Sequence, residues 1–248
     1  MHVPTAAQCK QVLGRTVSKE NLAVVLENNG FIWYTGTIMA DPMSITEDSP
    51  LEDALSAPEE NKRYTYADYL SWEGPERYQL INGEVFMMAS PSVAHQAILV
   101  EMITQFNTWL RGKPCRAFVA PLDVRLFPEE DKSDDTVVQP DLLVVCDKAK
   151  LSKGSVDGPP DLAVEIVSPS TSQKEIILKF NAYLDAGVRE YWVIDPGQNI
   201  VQVHVHEKGH FISSGYKGDA AVPSTVLPGF AIELKTLWTA MQEAAPPA

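Results

Sequence analysis

The sequence predicts an α/β fold, and three observations carry that reading. An amphipathic helical period runs from about Ser92 to Leu110. Two near-continuous apolar runs, LLVVC and LAVEIV, follow it in the manner of strands covered on both faces. A second helical period then leads into further strands, so helices and strands alternate along the chain.

Residues 1–43 form an N-terminal extension unlike the remainder, with an apolar knot, FIWY, between glycine and proline breakers. Two readings stand. Met39 or Met43 is the true start and the preceding residues are translated upstream sequence, or the segment is a small added hairpin or arm. Residues 44–240 are expected to form the main domain and 241–248 a tail.

The main domain opens with a polar linker and a short helix with an apolar edge of Tyr66, Tyr69 and Leu70. RYQLINGEVFMMA alternates around Asn82-Gly83, the strongest short-range hairpin signal. In the first long helix Leu99, Met102, Ile103, Phe106 and Leu110 repeat at helical spacing, and Arg111-Gly112 before Pro114 closes it. Three strands are expected next, RAFVAPLDVRLF, VVQPDLLVVC and DLAVEIV. The second long helix has Ser172 and Glu175 at capping-box spacing, a stripe of Ile176, Phe180 and Leu184, and a stop at Gly187. REYWVID is a strand, with Tyr191 and Trp192 in the core. IVQVHVHEKGHF is another, paired with it across the DPGQN turn.

Bulk properties narrow the function. With 45% hydrophobic residues the 248-residue chain can bury a core, and no apolar run reaches the roughly 18 residues that cross a bilayer. The first residues show no basic segment followed by an apolar one, so a cytoplasmic protein with no membrane partner is expected. Cys9, Cys115 and Cys146 are odd in number and widely spaced, suggesting neither a disulfide framework nor a zinc knuckle. Cys146 reads as a small core residue. The net charge of −13 argues against broad coating of nucleic acid, whose phosphates need cations. It leaves room for one local basic groove.

Glu165 is the informative anomaly. Five of the six residues in LAVEIV are apolar, and a carboxylate inside such a strand costs several kcal/mol unless something compensates it. Asp141, opening LLVV after Pro140, has the same difficulty. A hard cation between the two, Mg²⁺ or Mn²⁺, would relieve both. The plainer readings are a loop-capping Asp141 and a Glu165 paired with a buried arginine or lysine.

QPDLLVV, then AVEIVSPST, then KFNAYLDAGVREYWVIDP resemble the Uma-type family of restriction endonucleases, a branch of the PD-(D/E)XK nuclease superfamily. RYQLINGEVFMMASPSVAHQ fits the family's N-terminal part, and the match runs from about Tyr64 to Val205. The resemblance implies a restriction-endonuclease-like core of helix, three strands, helix and strand around a mixed central sheet, with an added N-terminal β-hairpin. It implies metal-dependent hydrolysis of phosphodiester bonds in DNA. Asp141, Glu165 and the Ile166 carbonyl would hold the metal, with Glu84 as a third carboxylate. Position 167 is Val where the superfamily expects lysine. In the Uma-type branch a helical lysine takes that place, and Lys179 matches it. Its other reading is a surface pair with Glu175 at i,i+4. His95, on the apolar stripe of the first long helix, is a further catalytic candidate. Cutting both strands of a duplex calls for two active sites, hence a homodimer. A nuclease-like module that binds without cutting is the rival.

Other motifs carry no chemistry. His204, His206 and His210 are read as the outward face of a half-exposed edge strand, with Val201, Val203 and Val205 opposite. The serines of SPSTS lack a nucleophile elbow, and no phosphate-binding glycine loop occurs.

Overall fold

The computed structural model describes residues 24–27, 30–33, 62–168 and 171–245. The chain divides into two compact units, Met1–Leu51 and Glu52–Ala248. In the first, β1 (Val24–Glu27) and β2 (Gly30–Trp33) pair antiparallel. Met39, Met43 and the last three residues of the tail lie outside the described residues.

The second unit begins with α1 (Tyr66–Tyr69), one turn closed by a reciprocal capping box between Thr65 and Asp68. Tyr66 is buried, but Leu70, expected on the same edge, is exposed because the helix ends before it. The hairpin β3 (Arg77–Ile81) and β4 (Glu84–Met88) turns at Asn82-Gly83. Both turn residues have positive φ, 52° and 74°, as a two-residue hairpin turn requires. Helix α2 (Val93–Leu110) starts at Ser92, whose hydroxyl accepts the His95 N–H. It buries His95, Ile98, Leu99, Met102, Phe106 and Leu110.

Two of the three expected strands are each broken in two. RAFVAPLDVRLF becomes β5 (Arg116–Val119) and β6 (Asp123–Arg125), and VVQPDLLVVC becomes β7 (Val137–Val138) and β8 (Leu142–Val145). Pro121 and Pro140 stand at the breaks, where a residue without an N–H cannot extend a ladder. The halves join different sheets. After β9 (Ser155–Asp157), DLAVEIV stays whole as β10 (Leu162–Ile166). Then follow α3 (Gln173–Asp185), β11 (Glu190–Asp195), β12 (Ile200–Glu207), β13 (His210–Lys217), β14 (Ala221–Pro223), β15 (Ala231–Glu233) and α4 (Leu234–Glu243).

The central sheet has six strands in the order β13-β12-β11-β10-β8-β5. It is mixed, as expected, since β10 and β11 run parallel and the other neighbours antiparallel. A second sheet, β4-β3-β7-β6-β9, carries the hairpin, and β14 pairs with β15. Alternation along the strands sends Leu142, Val144, Leu162 and Val164 to a core with α2 and α4. Leu143, Val145 and Ala163 face the opposite core, with Ala182 and Tyr183 of α3 and residues of the second sheet. This two-sided cover explains why the runs lack polar alternation.

Four local expectations are corrected. Cys115 and Cys146 form a disulfide, because antiparallel pairing of β5 with β8 brings together residues 31 apart in sequence. IVQVHVHEKGHF is two strands, turning at Lys208 and Gly209, both with positive φ. β12 is therefore interior, and β13 is the edge. His204 is buried among Phe180, Tyr191 and Phe211, and burial lowers its pKa to about 4. The buried face of α3 is Lys179, Ala182 and Tyr183, with Ile176, Phe180 and Leu184 only half-buried. Tyr191 and Trp192 are core residues, as predicted.

Candidate active site

The β8–β10 ladder pairs Val144 with Leu162, Leu143 with Ala163 and Leu142 with Val164. Carried one step further, this register sets Asp141 opposite Glu165. Alternation places both on the face that also carries Leu143 and Ala163. The Asp141 backbone carbonyl accepts the Ala120 N–H, fixing the strand entry. Its side chain reaches across, Oδ2 accepting the Ile166 N–H at 2.7 Å. Oδ1 lies 3.1 Å from His95 Nε2. The first turn of α2 is what brings the imidazole there, and among the described residues His95 Nδ1 is buried without a partner.

Glu165 Oε1 faces Lys179 Nζ at 2.9 Å and accepts the Tyr183 hydroxyl at 2.8 Å. Lys179 and Tyr183 are one helical turn apart on α3, so one face supplies both. Burial pushes the Glu165 carboxyl up to about 7, and the Asp141 charge adds to this. The Lys179 ammonium and the two hydrogen bonds oppose the shift. For Lys179 burial works against the charge, but Glu165, Glu175 and Asp141 outweigh it and raise its pKa. The lysine is buried, not a surface partner of Glu175. Glu175 Oε1 stands 3.7 Å from its ammonium.

His95, Asp141, Glu165, Glu175 and Lys179 line a cleft of about 260 Å³ with Gln79 and Met88 of the hairpin, and Ile166 and Ser168 are on its wall. The structure thus brings Asp141, Glu165, Ile166, Lys179 and His95 together. Glu84 is not among the residues lining the cleft; it is half-exposed in an ion pair with Lys174. The hairpin contributes Gln79 instead, almost fully buried, whose amide donates to Glu175 Oε1 at 2.6 Å. Gln79 and Tyr183 escaped the sequence reading, and Glu175 entered it only as a helix-capping residue and a surface partner of Lys179. A signal existed for Gln79, because alternation from the buried Ile81 turns it inward. Tyr183 was signalled by its i,i+4 spacing from Lys179.

Among the described residues no group of three or more His, Cys, Asp or Glu side chains is set to hold a metal ion. Two carboxylates on adjacent strand ends fit the looser requirement of Mg²⁺, which keeps several waters and takes one or two carboxylates.

Comparison with known proteins agrees with the architecture. A crystal structure of a "putative nuclease belonging to DUF820" from Anabaena variabilis superposes with a TM-score of 0.60. It covers 72% of this chain and 99% of that one at 23% identity, a likeness of fold. "Uncharacterized protein slr1290" of Synechocystis is 28% identical over 118 residues, 47% of this chain and 60% of that protein's length. The Uma2 family model, described as "Putative restriction endonuclease", matches residues 66–235, which span the hairpin, the cleft and the central sheet, and the chain belongs to that family.

Proposed function

We propose that this protein is a metal-dependent endonuclease that hydrolyses phosphodiester bonds in DNA. The observation that supports it is the juxtaposition of Asp141 and Glu165 on neighbouring interior strands, with a buried lysine over one of them. Asp141, Glu165 and the Ile166 carbonyl would hold Mg²⁺ or Mn²⁺. When bound, the ion would lower the pKa of a coordinated water and stabilise charge developing on the phosphate. His95 fixes the Asp141 carboxylate, and the Ile166 N–H holds its second oxygen, so the acid is oriented before any ligand arrives. Lys179 keeps Glu165 ionisable in a buried setting and adds positive charge beside the scissile group. Tyr183 fixes the Glu165 rotamer. Cleavage of both strands takes two sites, which favours a two-fold homodimer.

The test is nicking of supercoiled plasmid with Mg²⁺ or Mn²⁺ and with a chelator, for wild type, Asp141→Ala and Glu165→Ala. Cleavage should require metal and vanish in both variants while circular dichroism stays native. Equal cleavage by all three ends the proposal. A binding module without activity is the second reading, favoured by the net charge of −13 and the lack of a three-ligand cluster among the described residues. Calorimetric titration with Mn²⁺ separates the two, since only the enzyme needs metal affinity that Asp141→Ala abolishes.

A further inference from the structure

Phosphate binding in an acidic protein needs a cation that is not already committed. Lys179 is held by Glu165 and Glu175, and Lys174 by Glu84. Arg77 is different. It lies on β3 two residues from Gln79, so both side chains project from the same face, and both line the cleft with Asp141 and Glu165. Among the described residues it makes no ion pair. Its Nη2 donates to Gln139 Oε1 at 2.7 Å and lies 3.8 Å from Met88 Sδ. Its Nε–H is buried with no acceptor among the described residues.

The guanidinium is held in place from behind. Gln139 Nε2 donates to Asp123 Oδ1 at 2.8 Å and lies 3.1 Å from the Tyr69 hydroxyl, which itself donates to Asp123 at 2.9 Å. With its amide N–H groups engaged there, Gln139 must turn its oxygen toward Arg77. A buried N–H left without an acceptor is unfavourable and is relieved by any acceptor that enters the cleft. A planar charged fork with such an open donor suits a tetrahedral oxyanion, which can take two of its N–H groups at once.

We propose that Arg77 is the phosphate-holding residue of this cleft, receiving non-bridging oxygens of the nucleic-acid backbone on Nε and a terminal nitrogen. This rests on the nuclease reading for the identity of the phosphate, and it deepens that reading by naming the group that grips the substrate. Gln139 acts as a positioning residue through Arg77.

The test uses the full chain in chelator, so that cutting plays no part. Binding of a short fluorescent DNA duplex is followed by anisotropy over a range of salt for wild type, Arg77→Gln and Arg77→Lys. Arg77→Gln should bind about tenfold more weakly, and its log–log salt slope should fall by about 0.9, one phosphate contact. Arg77→Lys should keep the slope, since the charge remains, and lose part of the affinity with the fork. Wild-type affinity and slope in a folded Arg77→Gln protein would overturn the proposal. Inorganic phosphate is the second probe, read by the Arg77 Nε–H resonance. A saturable shift that persists in Asp141→Asn supports the site even in a protein that cuts nothing, and so survives failure of the nuclease reading. Conversely, an Arg77→Gln variant that nicks plasmid with wild-type kcat/KM sinks this proposal and leaves the nuclease standing.

Discussion

Glu165 and Glu190 sit on the parallel neighbours β10 and β11, three positions apart in a shared register, and both are removed from bulk water. Glu190 is fully buried and, among the described residues, is met by neutral donors. Its Oε2 accepts from the Ser224 hydroxyl, the Thr225 hydroxyl and the Thr225 and Val226 N–H groups, and its Oε1 accepts the Trp192 indole N–H. It ties β11 to the turn before β15. Glu165 instead faces a lysine, a tyrosine and a second carboxylate at the wall of a cleft. A carboxylate satisfied on every side by neutral donors has nothing left to offer a ligand. One that shares its space with another acid and a cation stays poised to exchange partners. Burial alone therefore does not mark a site; the company of the carboxylate does.

The largest effect that would test this contrast is on chemistry. The double variant Glu165→Leu/Lys179→Met should lose plasmid nicking by roughly 10²-fold or more, the scale on which preorganised charged groups act. Its stability in urea should stay level or rise, because a buried ion pair replaced by apolar groups of similar size is often neutral or stabilising. Glu190→Ala should do the reverse, losing about 3 kcal/mol or more from its stranded donors while nicking per folded molecule is unchanged. If Glu190→Ala unfolds no more readily than wild type, the contrast fails.

Glu190→Gln sharpens it. Its amide oxygen can still take four donors, but its NH₂ group then meets the Trp192 N–H, so urea unfolding should show a smaller loss, about 1–2 kcal/mol. The smallest effect concerns pH. The folded-state pKa of Glu165, about 7, lies above the ordinary 4.5, so folding favours its neutral form. That contribution is complete below about pH 4.5 and is lost as pH rises through 7. Glu165→Gln mimics the neutral acid. The melting temperature of wild type should therefore fall relative to this variant between pH 5 and pH 8, and a constant difference would place the titration elsewhere.

Periodicity and turn chemistry made much of the architecture legible. The hairpin at Asn82-Gly83, the α2 stripe, the Ser172 cap and the two-sided cover of β8 and β10 follow from rules that act over a few residues. The breaks at Pro121 and Pro140 follow from an equally local rule, since proline has no N–H to extend a ladder. Glu165 stands out by being acidic in an apolar run, yet Glu190 in EYWVID is just as anomalous by sequence and serves a different end. Local sequence holds the cost of burying a charge but not the identity of the groups that offset it.

Alone, the sequence determined the hairpin, the two long helices and the apolar strands around β8 and β10, and that Asp141 and Glu165 need compensation, because those properties depend on near neighbours along the chain. Only the tertiary structure decided that Lys179 turns inward, that Glu84 pairs with Lys174 while Gln79 enters the cleft, and that Cys115 meets Cys146. Each of those outcomes depends on strand register and helix rotation between segments tens of residues apart, where the free energy is set by contacts that no local pattern encodes.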